Sequence, residues 1–331
     1  MTDHLRNSDA DSPSEATTRS VVVGIDRRGR STSAVVWAVE DAERSRSTLT
    51  LVSARAPYDA ASGTEGGHDM STFARRLALR DVQQREVVGD PVSALLDQSL
   101  EADLLVVGAR TMNPSQRIVL GSTSRALARW SPVPVVVVPE RWMQPNMASS
   151  PVVAGVRPPA PARQDGQPGP GDGPEVLDFA CARAAELKVP LVVVSSWEVP
   201  PLSACPTGDA GRLRAAHEHA LEQRLSPWRK RHPGLEIVTR PTTRASGDAL
   251  LELSRMAQLV VVGRHHARAL SGHLGHTCSQ VLSESTRPVV VVPSGSRDAL
   301  QRDLDTYRAH VSAACPAVAA QWFSSARIDV P

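Results

Sequence analysis

The segment LLVVGARTMNPSQRIVLGSTSRALARWSPVPVVVVP, which begins at Leu104, returns as LVVVGRHHARALSGHLGHTCSQVLSESTRPVVVVP from Leu259. Each copy reads apolar strand, glycine, second glycine, helix, proline-bearing turn, apolar strand. A matching helical stretch precedes each one, Pro91 to Leu100 after VVGD and Gly247 to Met256 after TTRAS. Self-similarity on this scale means that a whole folding unit is duplicated. A chain of 331 residues suits two such units, each large enough to bury its own core.

Runs such as Val21 to Ile25, Leu104 to Val107, Val133 to Val138, Leu259 to Val262 and Val289 to Val292 are continuously apolar and β-branched, as parallel strands buried on both faces must be. Ser33 to Ser45 places Val35, Val36, Val39 and Ala42 along one helical face. Strand alternating with helix predicts an α/β fold of two tandem, doubly wound, parallel five-stranded sheets, each sandwiched between helices in three layers. The first domain is expected over 20–140, with strands near 21–25, 48–54, 80–88, 104–108 and 133–138 and four helices. Residues 141–150 form a linker, and the second domain covers 151–294, with strands near 151–156, 190–196, 235–241, 258–262 and 288–292. The stretch RPPAPARQDGQPGPGDGP at 157–174 is too rich in Pro and Gly for helix and interrupts that domain after its first strand. Residues 295–331 are a C-terminal helix and tail, with Leu300, Leu304 and Tyr307 on one side of a helix from Arg297 to His310. The polar lead at 1–19 reads as disordered, with no apolar core of a signal peptide.

Several function classes are excluded early. A net charge of +2, from 37 basic and 35 acidic residues, is too small for a dedicated nucleic-acid binder. No apolar run approaches the roughly 20 residues of a membrane span. Cys181, Cys205, Cys278 and Cys315 form no CxxC pair, which argues against a disulfide framework or zinc knuckle and makes a cytoplasmic location the expectation.

In an open parallel sheet, ligands gather beyond the carboxyl ends of the strands, where helix N-termini offer N–H groups to phosphates. Gly108 is expected directly after a strand, where a missing side chain lets a ligand approach. Gly121 opens a helix whose next residues are Ser122, Thr123 and Ser124, which brings three hydroxyls and free amides close together.

The spacing Gly108, two residues, Thr111, nine residues, Gly121-Ser122 resembles the G-x2-G-x9-G-S/T signature of ATP-binding universal stress proteins. VVVGID with Asp26, VVGDPVSALL and SPVPVVVVP extend the resemblance, which covers nearly the whole chain twice. It implies an adenine-nucleotide α-hydrolase-like, Rossmann-like fold. It also implies that Asp26 sits near the adenosine, Gly108, Arg110 and Gly121 beside the phosphates, and Ser122, Thr123 and Ser124 as phosphate donors. Thr111 departs from the signature, which has glycine there. Its Cβ would obstruct a positive-φ turn, or its hydroxyl would donate in place of the glycine.

In the second copy Gly263 is followed by Arg264, His265 and His266, the spacer is one residue shorter, Gly275 precedes His276, and Arg157 stands in the place of Asp26. ATP binding is therefore expected in the N-terminal domain alone. His265, His266, His273 and His276 beside Cys278 fit no established zinc spacing, so no metal is assigned. Arg110 is the arginine best placed for phosphate; Arg125 and Arg129, one turn apart, read as a solvated helix face. Trp37 and Trp130 read as core packing. No Ser-His-Asp order, HExxH or GxGxxG supports an enzyme.

The resulting expectation is a non-catalytic, ATP-binding regulator of the stress response, a universal stress protein with no nucleic-acid or membrane partner. The alternative is a nucleotide-free universal stress protein acting as an interaction scaffold. The closing strands PVPVVVVP and PVVVVP suit edge-to-edge antiparallel pairing, which predicts an intramolecular pseudo-dimer of the two domains and leaves a homodimer of chains open.

Overall fold

The computed structural model describes residues 19–26, 31–55, 82–111, 118–143, 149–157, 174–197, 210–264, 274–295 and 297–314. In the first half the elements are β1 (Ser20–Ile25), α1 (Thr32–Ser45), β2 (Thr48–Arg55), β3 (Val82–Val88), α2 (Pro91–Ser99), β4 (Leu104–Thr111), β5 (Ile118–Val119), α3 (Ser122–Trp130) and β6 (Val135–Pro139). The second half runs β7 (Val152–Val156), α4 (Glu175–Leu187), β8 (Leu191–Ser196), α5 (Ala210–Arg231), β9 (Ile237–Thr242), α6 (Ser246–Ser254), β10 (Leu259–Arg264), α7 (His276–Glu284) and β11 (Val289–Pro293). Helix α8 (Arg297–Ala314) closes the chain. Among the described residues the first half has three helices; the region between β2 and β3, where a fourth was expected, lies outside them, as does most of the Pro/Gly-rich insertion.

The strand order is β3-β2-β1-β4-β6-β11-β10-β7-β8-β9. Every pairing within a half along this path is parallel. The halves join where β6 pairs antiparallel with β11, Val135 opposite Val291, Val136 opposite Val290 and Val137 opposite Val289. Equivalent valines thus meet around a local two-fold axis at Val136 and Val290, and the two sheets continue into one. Both strands are buried at every residue, which is why their side chains run apolar without alternation.

Helices cover both faces. One apolar core gathers Trp37, Val39 and Ala42 of α1 with Leu177 and Ala180 of α4 and Leu221 and Leu225 of α5. The other joins α2, α3, α6, α7 and Leu304 of α8. Helix α2 starts on a strong local signal: the Asp90 carboxylate accepts from the Ser93 N–H at 2.9 Å, with Pro91 in the first helical position.

Two features differ from the expectation. Strand β4 runs on to Thr111, because β5 pairs with it antiparallel through Arg110–Val119 and Thr111–Ile118; Gly108 and its counterpart Gly263 therefore lie inside strands, not after them. Helix α8 crosses back to the first half. Tyr307 packs on Trp130 with ring centroids 5.4 Å apart, Arg308 reaches Asp97 at 2.5 Å, and Leu304 is fully buried.

The duplication is also visible in a shared contact. A Cβ on Gly24 would lie 2.8 Å from Leu95 Cδ1, and one on Gly155 would lie 2.7 Å from Leu250 Cδ1. Leucine from α2 or α6 fills the space a side chain would take on β1 or β7. Gly24→Ala and Gly155→Ala should each cost about 1–3 kcal/mol through overpacking, measured as a shift in urea midpoint; unchanged midpoints would show that the leucines give way freely.

Candidate functional site

The sheet changes winding direction between β1 and β4, and the crevice at their carboxyl ends is where an open α/β sheet collects ligands. Asp26 follows β1 directly, and its N–H donates to Ser31 Oγ at 2.8 Å, which ties the start of α1 to the strand end. Gly108 lies on the neighbouring strand β4. Arg110 and Thr111 follow as backbone of the β4–β5 hairpin. Thr111 is extended, so the positive-φ turn that its Cβ was expected to obstruct does not exist there.

Helix α3 begins beside this edge. Its N-cap, Gly121, has φ −58° and ψ 156°, and an ideal Cβ on it would find no atom within 4 Å. That backbone suits any residue, so neither strain nor packing demands glycine; what its absent side chain leaves open is approach to the helix N-terminus, whose first N–H groups have no intrahelical acceptor. Ser122 is exposed and Thr123 half-buried.

Ser124 corrects the expectation. It is buried, and its hydroxyl donates to the Gly108 carbonyl at 2.8 Å, so its proton fastens α3 to β4 instead of facing phosphate. Cys278 occupies the equivalent position in α7, buried as well, with burial pushing its thiol up to about 12. Burial of this kind favours the neutral thiol over the nucleophilic thiolate. Arg129 also departs from the solvated-face reading: its guanidinium lies 4.2 Å from the Trp130 ring centroid, and burial lowers its pKa. Arg125 is exposed.

The corresponding edge of the second half forms a cleft of about 230 Å³ lined by Arg157, Arg264, Gly275, His276, Thr277 and Cys278, among others. Arg264 is not simply a lost loop residue. It donates from Nη1 to the Arg129 carbonyl and from Nη2 to the Ser131 carbonyl at 2.9 Å, at the C-terminal end of α3. Sequence reading missed this, because the acceptors belong to the other half and are backbone atoms. His265, His266, His273 and Arg117 lie outside the described residues; among the described ones no cluster of three or more His, Cys, Asp or Glu could hold a metal, and no helix is long and apolar enough to cross a membrane.

The universal stress protein family profile matches this chain twice, over residues 17–139 and 169–293. The chain belongs to the universal stress protein family. A universal stress protein of Mycolicibacterium smegmatis is 29% identical over 301 residues, spanning 84% of this chain and 98% of the relative. One from Mycobacterium tuberculosis is 29% identical over 300 residues, spanning 82% and 95%. Among solved structures, a universal stress protein from Archaeoglobus fulgidus aligns with TM-score 0.62 at 15% identity, covering 84% of this chain and 100% of that one. A functionally unknown protein from Pseudomonas aeruginosa aligns with TM-score 0.60 at 19% identity, covering 88% and 97%. These structures share the fold: the tandem universal stress protein architecture extends across both halves.

The two residues at the α3 N-terminus should separate by stability. Ser124→Ala leaves the Gly108 carbonyl without its donor and should cost about 1–3 kcal/mol, whereas Gly121→Leu should cost about 1 kcal/mol or less. Chemical denaturation of both variants checks this ordering; the reverse order would mean that Gly121 is a packing residue.

Proposed function

We propose that this universal stress protein binds ATP without turning it over, at a single site in its first half, and that the bound nucleotide regulates its part in the stress response. Gly121 carries the reading: neither its backbone nor its packing requires glycine, and it opens a helix N-terminus to an anion. In this reading Ser122 and Thr123 and the α3 amides take phosphate oxygens, and Arg110 adds a guanidinium, which matches phosphate in a bidentate fashion. Gly108 keeps the wall low, Thr111 stands at the rim, and Ser124 acts through Gly108. Asp26, acceptor-only when ionised, takes hydroxyl donors of the nucleoside.

The second half is read as lacking this activity. A donor-only guanidinium, Arg157, replaces the acceptor carboxylate, and Arg264 is engaged by α3. The protein's domains are taken as 20–140 and 151–294, and its location as the cytoplasm.

Freshly purified protein, denatured and chromatographed, should release adenine nucleotide near one per chain. ATP titration should give one site, weakened at least tenfold by Gly121→Leu and unchanged by Gly275→Leu, with a melt to confirm that each variant is folded. Absence of both released nucleotide and titratable binding would refute the ATP reading and leave the interaction scaffold. Loss on Gly275→Leu alone would move the site to the second half.

A further inference from the structure

Helices α1 and α4 are the same element of the duplicated unit, and their ends correspond residue by residue. Arg46 and Lys188 close them, both left-handed at φ 53° and 55°, with N–H groups donated to Ala42 O and Ala184 O respectively. Ser47 and Val189 donate to the same two carbonyls at 2.9 and 3.0 Å. On this alignment Asp41 corresponds to Arg183 and Arg44 to Glu186, each 142 positions apart. The charge is reversed at both positions.

Asp41 and Arg183 also touch. Arg183 Nη1 donates to Asp41 Oδ1 and Nη2 to Oδ2 at 3.3 Å, with the two side chains 1% and 2% exposed. A contact between equivalent positions of two copies lies on the two-fold axis relating them, the axis that Val136 and Val290 mark in the sheet. A residue on such an axis meets its own copy in any pairing of like with like. Two first halves would set Asp41 against Asp41, and two second halves Arg183 against Arg183.

The surroundings make that costly. Trp37 and Phe179, again equivalent positions, flank the guanidinium at 5.9 and 5.6 Å. Arg44 stands 3.6 Å from Asp41, Glu186 3.1 Å from Arg183 and Arg19 3.8 Å from Glu186, so each half carries its own pair of opposite charges in opposite order. Burial lowers the Arg19 pKa, with Arg183 adding to the effect. Like charges meeting on the axis would have only the partly exposed Arg44 or Glu186 of their own helices to set against their repulsion in a low dielectric.

We propose that the Asp41–Arg183 pair selects the partner: the α1 face accepts an α4 face and rejects a second α1 face, so each half fits the complementary half of the chain and not its own copy. A homodimer of identical subunits cannot place complementary charges on its axis; a duplicated chain can, because the two positions mutate separately. Affinity between the halves comes mainly from the valine strands and apolar cores, and the ion pair decides which halves meet.

The test uses full-length chains. One variant gives α1 the charges of α4 (Asp41→Arg with Arg44→Glu); a second gives α4 those of α1 (Arg183→Asp with Glu186→Arg); a third carries all four changes. Each of the first two should lower Tm by about 5–10 °C, as expected for a broken buried pair in a chain of this size, and the third should recover at least half of that loss. The first two variants, tagged differently and refolded together, should yield a mixed-chain complex on either tag. Its recovery should be several-fold above that of either variant refolded with a differently tagged copy of itself. This arm still reads out if either variant alone fails to fold. A fourfold variant no more stable than the other two, or a mixture with no more mixed complex than the self-mixtures, would overturn the proposal.

Discussion

Everything that the two halves do together depends on one antiparallel contact, β6 against β11. A valine-rich strand left at a sheet edge presents unpaired N–H and C=O groups and an apolar surface that attracts further strands. By pairing with each other, Val135 to Val137 and Val289 to Val291 turn two edges into the middle of one sheet. The outer strands are then β3 and β9, and β3 is largely exposed and polar, as an edge exposed to water can afford to be. The remaining inter-half contacts follow from this placement. Arg264 at the end of β10 comes within reach of the last carbonyls of α3, where the helix dipole favours a cation, and α8 lies across the seam onto Trp130 and Asp97.

The duplicated frame is strict where it folds and loose where it meets a ligand. Leu95 over Gly24 repeats as Leu250 over Gly155. Ser131 Oγ donating to Val133 O repeats as Ser285 Oγ to Arg287 O, and the left-handed ends of α1 and α4 repeat as well. At the carboxyl edge the copies part: Asp26 against Arg157, Ala109 against Arg264, Ser122 against His276. Asp26, Arg157, Ser122 and His276 lie outside both apolar cores, so exchange there leaves the fold intact, and at the first pair it reverses the charge a ligand would meet. The second half turns one of these polar groups, Arg264, toward its neighbour.

Much of the architecture was legible because its signal is local and repeated. Unbroken valine runs mark strands buried on both faces, Val35, Val39 and Ala42 mark the inner face of α1, and Leu300, Leu304 and Tyr307 mark that of α8. What was misread depended on a partner elsewhere. Strand β4 outlasts Gly108 because two residues, Ile118 and Val119, return to pair with it, and so short a run announces nothing by itself. Ser124 looked like a phosphate ligand because a hydroxyl at a helix start is equally suited to a ligand or to a carbonyl on the next strand, and the carbonyl of Gly108 took it.

The sequence by itself determined the duplicated α/β unit, the order of its elements, the family and the position of the glycines, since periodicity and spacing act between residues close in the chain. The tertiary structure alone decided which polar groups face which: Ser124 to Gly108, Arg264 to the end of α3, Asp41 to Arg183. These partners lie up to 142 positions apart, and no local pattern encodes them. Ser124 reaches Gly108 when α3 packs on β4 within one half; the other two contacts form only when two sheets, each specified on its own, meet at a shared strand edge and fix distances between side chains that neither half could set alone.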